Sequence, residues 1–123
     1  MKTINIKGKE YVTVNERVKY FREKFPDHQI ETFLESDVEG RALFRAVIRN
    51  GNGDIVSSGY AMEKEGSTFI NKTSHYENAE TSAVGRALGF LGVGIDASIA
   101  TANEVGNAVN NQKKEAENFP PGF

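Results

Sequence analysis

The sequence contains no cysteine and no tryptophan, and only three prolines among 123 residues. Without cysteine there can be no disulfide and no thiolate metal site, and the chain suits a reducing cytoplasm. No apolar run approaches the roughly 20 residues that a membrane-spanning helix needs. Residues 1–10 alternate Lys with Ile and Gly, so they lack the apolar block of a secretory leader. Basic charge is not in surplus either: 15 Lys and Arg stand against 17 Asp and Glu, a formal net charge of −2. A basic domain is the usual footprint of nucleic-acid binding. Any such role must therefore rest on local clustering, because exposed charges are screened beyond about 10 Å.

The common catalytic arrangements are missing too. There is no GxxxxGKS/T loop, which argues against ATP-driven strand handling. His28 and His75 stand alone and offer no zinc ligand set. The carboxylates are scattered among Lys and Arg, and Ser74 and Ser82 carry no signature of an activated nucleophile. The expectation is a protein without enzyme activity, metal or cofactor.

What is present is an ordinary globular composition, expected to form one domain over residues 1–114 and a flexible tail over 115–123. The pattern predicts an α+β fold. Residues 2–12 suit a short strand or hairpin turning at Gly8. Thr13 and Glu16 have capping-box spacing, and Val14, Val18, Phe21 and Phe25 give the apolar face of a helix that Pro26 ends. Arg17, Lys19, Arg22, Glu23 and Lys24 read as its solvated face. An antiparallel meander of three strands follows: His28–Glu35, a turn at Asp37–Gly40, Arg41–Asn50, the turn Asn50–Gly53, and Asp54–Glu63. After a loop over 64–73, Ser74 is expected to cap a long helix running to Leu91 and packed on the sheet. Ala79, Ala83 and Ala87 let that helix lie close. Gly85 and Gly89 each cost about 1 kcal/mol there, so something approaches the backbone, either the sheet or a bound strand. Asp96 could cap a short third helix reaching to about Lys114.

The strongest chemical signal is in the middle strand. Ala42, Phe44, Ala46 and Ile48 alternate with Arg41, Leu43, Arg45, Val47 and Arg49, so three arginines share one face at spacings of roughly 13 Å. They could track a sugar-phosphate backbone, or pair with Glu31, Glu35 or Glu63. Tyr60, Lys64, Lys72, Thr73 and Ser74 add an aromatic, two cations and short polar donors beside a helix N-terminus, and Arg86 lies within that helix. A basic track with interleaved aromatics is what sequence-independent single-strand binding uses.

Residues Asn71–Ile95, NKTSHYENAETSAVGRALGFLGVGI, resemble the signature helix of the phage Erf-like single-strand annealing proteins, with Glu80–Leu88 as the specific core. A more distant resemblance is to the eukaryotic annealing family called Rad-fifty-two. Tyr11–Val18, Phe21-Arg22, Phe44–Arg49 and Gly59-Tyr60 fall where that superfamily's first helix and hairpin lie. The resemblance implies a ring or filament of identical chains that holds single-stranded DNA in a basic groove, for phage-type recombination or replication. Where relatives carry further basic residues, this chain has Gly85 and Gly89, leaving Arg86 alone. The end, Glu115–Phe123, is similar to the acidic tip of bacterial single-strand-binding proteins, which implies docking of Phe119 and Phe123 on a phage or host replication or recombination protein. Strand protection, or an accessory protein-interaction module without DNA binding, are the alternative roles.

Overall fold

The computed structural model describes residues 1–66, 71–96 and 98–109, with the side chains of 71–73 excluded. The chain opens with a hairpin of β1 (Thr3–Ile6) and β2 (Lys9–Val12). Its turn is Lys7-Gly8, both in the left-handed region, with φ of 51° and 87°. Helix α1 (Val14–Lys24) is capped as expected: the Glu16 N–H donates to Thr13 Oγ1 at 3.2 Å.

The three-stranded sheet has the order β3 (Gln29–Val38), β4 (Arg41–Arg49), β5 (Ile55–Lys64), antiparallel throughout. The β3–β4 turn is tighter than the sequence suggests. It consists of Glu39 and Gly40 alone, at φ of 53° and 74°, the two-residue geometry whose twist matches the flanking strands. The second turn follows the Asn50–Gly53 signal: Asn50 Oδ1 accepts from the N–H groups of Asn52 and Asp54, both at 3.0 Å. Two register shifts interrupt the ladders, at Leu34/Ser36 and at Ile48/Arg49.

Helix α2 (Asn71–Leu91) starts three residues before the expected cap, and its backbone leaves helical geometry at Ser74 (φ −147°, ψ 32°). The third helix, α3 (102–109), begins later than expected. Its cap is Thr101 rather than Asp96, since Thr101 Oγ1 accepts from the Glu104 N–H at 3.2 Å. The Thr101–Glu104 spacing is itself a capping box. Residues 110–114 of that expected helix, and the tail with Phe119 and Phe123, lie outside the described residues.

Both long helices cover one face of the sheet. Phe21 of α1, Ala46 and Ile48 of β4, and Ala83, Ala87 and Leu88 of α2 form a buried cluster with Val93. Contact is close because the facing residues are small: Ser57 Oγ donates to the Ala87 carbonyl at 2.6 Å. No described helix is long and apolar enough to cross a membrane.

One expected surface residue is the largest fully buried side chain among the described residues. Arg17, read as part of the solvated face of α1, is completely buried. Its Nη1 donates to the carbonyls of Gly85 (2.7 Å) and Ile99 (2.9 Å), and its Nη2 to those of Ser98 (2.7 Å) and Gly94 (3.3 Å). Burial pushes the guanidinium pKa below its ordinary value, and the nearby Glu104 carboxylate partly opposes this. The same packing accounts for the two glycines. A methyl group at Gly89 would lie 2.7 Å from Arg17 Nη1, and one at Gly85 would lie 2.8 Å from Val14 Cγ2. Protein, not a ligand strand, approaches the helix at these points.

Candidate nucleic-acid interface

The face of the sheet opposite the helices is uncovered among the described residues, and cross-strand register decides what it displays. Directly paired residues share a face. Arg41 pairs with Val38 and Lys64, Leu43 with Ser36 and Met62, Arg45 with Phe33 and Tyr60, Val47 with Glu31 and Ser58, and Arg49 with Gln29 and Ile55. Arg41, Arg45, Arg49, Tyr60 and Lys64 are thus brought together as expected. Val47, expected to point outward with the arginines, is nevertheless fully buried.

The arginines are not bare. Arg45 Nε lies 2.9 Å from Glu35 Oε1, an ion pair without an aligned N–H···O bond. The Arg49 Nε–H donates to Glu31 Oε1, and its Nη1 donates to the Gly53 carbonyl at 2.9 Å. Arg41 is only loosely placed, 3.9 Å from Glu39. Counting Lys64, four cations share this face with three carboxylates, Glu31, Glu35 and, at the turn beside Arg41, Glu39, so a local excess of one cation stands on a net-negative chain.

Its centre is a row across all three strands: Phe33, Arg45, Tyr60. The Arg45 guanidinium carbon stands 5.1 Å from the Phe33 ring centroid, a cation–π contact. Tyr60 is 51% exposed and Phe33 37%, about 10 Å apart by strand spacing. Met62 and Val38 extend the apolar surface, at 55% and 61% exposure. Phe33 was not among the residues singled out from the sequence. A regular hairpin from the Glu39-Gly40 turn would put Leu34 opposite Arg45; the bulge at Glu35 shifts the register by one and substitutes Phe33.

The remaining expected site residues lie elsewhere. Ser74 is near the sheet end that carries Arg41 and Lys64, since Tyr76 Oη donates to Asp37 Oδ2 at 2.6 Å, but on the helix side. The side chains of Lys72 and Thr73 lie outside the described residues. Arg86 is separated from the arginine row by the thickness of the sheet. Its Nη1 is 3.6 Å from Glu104 Oε2. Glu80 accepts from Thr32 Oγ1 at 2.8 Å.

Glu104 is mostly buried, and desolvation holds its pKa above the ordinary value of 4.5 despite the opposing pull of Arg86. The folded state thus binds this proton more tightly than the unfolded chain, so its stabilising contribution is present below pH 4.5 and is lost as pH rises through the raised pKa. Relative to wild type, Glu104→Gln should therefore gain melting temperature as pH rises from 4.5 towards neutrality. A difference that stays constant across that range would refute the linkage. Among the described residues no group of three or more His, Asp or Glu is placed to hold a metal ion.

Comparison with known proteins overturns the annealing-family resemblance. Residues 18–91, more than half of the chain, match the family model described as Slr1353 N-terminal dsRNA-binding domain-like, not an Erf or Rad-fifty-two family. No curated protein and no solved structure matches significantly. The resemblance misled for a physical reason. The small residues of Glu80–Leu88 serve close packing, with Ala83, Ala87 and Leu88 in the core and Gly85 against Val14 and Thr101. Any helix pressed onto a sheet needs such a pattern. The matched segment holds most of α1, the three strands and α2, and the chain belongs to the Slr1353 N-terminal dsRNA-binding domain-like family.

Proposed function

We propose that this chain is a non-catalytic nucleic-acid-binding module that uses the open face of the β3–β4–β5 sheet, with a single strand as its preferred ligand. The observation that carries this is the Phe33–Arg45–Tyr60 row on the face with the local excess of cations. Unstacked bases stack on exposed aromatic rings and on guanidinium planes, and flanking cations follow the backbone. An open sheet face gives room for splayed bases. The family description supports a nucleic-acid ligand and favours a second reading, duplex RNA recognised by its shape. The long edges of β3 and β5 suit pairing with further copies, so a homo-oligomer belongs to the proposal.

Fluorescent poly-dT, poly-U, duplex DNA and duplex RNA should be titrated at low and moderate salt, with light scattering on the same samples. Single strands are expected to bind better than either duplex, to a species larger than a dimer. Tyr60→Ala should weaken single-strand binding about 10- to 100-fold, the worth of one stacked base. Tighter binding of duplex RNA, unaffected by Tyr60→Ala, would replace the first reading with the second. A monomer with and without DNA would remove the oligomer.

A further inference from the structure

We propose that Glu31 and Glu35 are built-in competitors for the phosphates of the bound strand, holding Arg49 and Arg45 until the strand displaces them. The inference rests on the sheet face being the binding surface. Each carboxylate supplies what a phosphate would: an anionic oxygen against a guanidinium N–H edge. Glu35 Oε1 sits 2.9 Å from Arg45 Nε, and Glu31 Oε1 takes the Arg49 Nε–H. The positions are set by the fold. Glu31 lies opposite Val47, one diagonal step from Arg49, and the bulge turns Glu35 onto the face beside Arg45. Both pairs are partly exposed, with the arginine side chains 33% exposed and their partners 36% and 41%, although the Arg45 Nε atom itself is covered. Pairs this exposed are weak and can be exchanged.

The exchange has an ionic signature. Each phosphate that an arginine neutralises releases a cation condensed on the strand, which makes binding salt-sensitive. An arginine that swaps a glutamate for a phosphate instead leaves a bare carboxylate that takes up a cation, and the net release is small. The wild-type protein should therefore bind with a shallower salt dependence than its four face cations suggest. Arg45 stays seated on Phe33 in either state, so the ring positions the guanidinium while the carboxylate regulates its charge.

The test is Glu31→Gln/Glu35→Gln in the full chain, with fluorescent poly-dT titrated between about 50 and 200 mM salt. The control is Glu23→Gln/Glu77→Gln, which changes net charge equally at exposed helix positions away from the face. The face variant should bind roughly three- to tenfold more tightly at low salt. Its log–log salt slope should steepen by about 0.7 for each freed arginine. Melting temperatures show that every form is folded. Unchanged affinity and slope in the face variant, while wild type binds, would overturn the inference and leave the binding surface standing. So would equal tightening in the control, because the effect would then be one of net charge alone. Failure of every form to bind poly-dT would overturn the single-strand reading and this inference with it.

Discussion

Arg17→Ala should bring the domain to the edge of unfolding at room temperature. The side chain is fully buried and donates to four carbonyls, those of Gly85, Gly94, Ser98 and Ile99. It ties the middle of α2 and the segment leading to α3 onto α1. Truncation leaves those carbonyls without their donor in a site where water has poor access, and each unsatisfied group costs about 1–3 kcal/mol. Partial relaxation brings the expected loss to about 4 kcal/mol, a large share of the roughly 5–15 kcal/mol that holds a domain folded. The melting temperature should fall by about 15 °C. Arg17→Lys keeps the charge but reaches fewer acceptors with one ammonium, and should recover only part of the loss. An alanine variant melting within a few degrees of wild type would show that the clasp is dispensable.

Gly59→Ala should be nearly as damaging, for the opposite reason. Gly59 lies in β5 directly beneath α2, where an added methyl carbon would stand 2.6 Å from the Ala87 backbone nitrogen, 2.9 Å from the Ala83 carbonyl oxygen and 2.9 Å from Arg86 Cβ. These neighbours are main-chain atoms and a Cβ, which no rotamer change can move, so the helix must lift off the sheet. Overpacking of this kind costs about 1–3 kcal/mol, and the upper end applies where backbone must shift. The denaturation midpoint should fall with the slope unchanged. Gly106→Ala, in α3 with open space around the added carbon, should instead stabilise by up to about 1 kcal/mol. If the two substitutions behave alike, the assigned approach of α2 to β5 is wrong.

Local features of the sequence determined the order of the elements. Thr13 sets the start of α1, the Asn50–Gly53 run makes its turn through Asn50 Oδ1, and the alternation in β4 puts Arg41, Arg45 and Arg49 on one face. Each of these depends on groups within a few residues of one another, so spacing alone specifies them. Spacing misled where similar patterns serve different ends. The small residues of α2 read as an annealing signature and are a packing surface.

The tertiary structure decided the rest, because distant segments decide which groups meet. Arg17 looks like any other cation on an amphipathic helix until the carbonyls of residues 85–99 arrive around it. Arg86 and the arginine row are close in chemistry and on opposite sides of the sheet, since α2 packs on the face that β4 fills with Ala46 and Ile48. Whether Arg45 and Arg49 stand free or paired depended on the pairing of β3 with β4. A single extra residue at Glu35 moved Phe33 and Glu35 beside Arg45, and with them the character of the candidate site. A one-residue shift of register changes which side chains a strand shows on each face, and nothing in the local sequence marks where that shift falls.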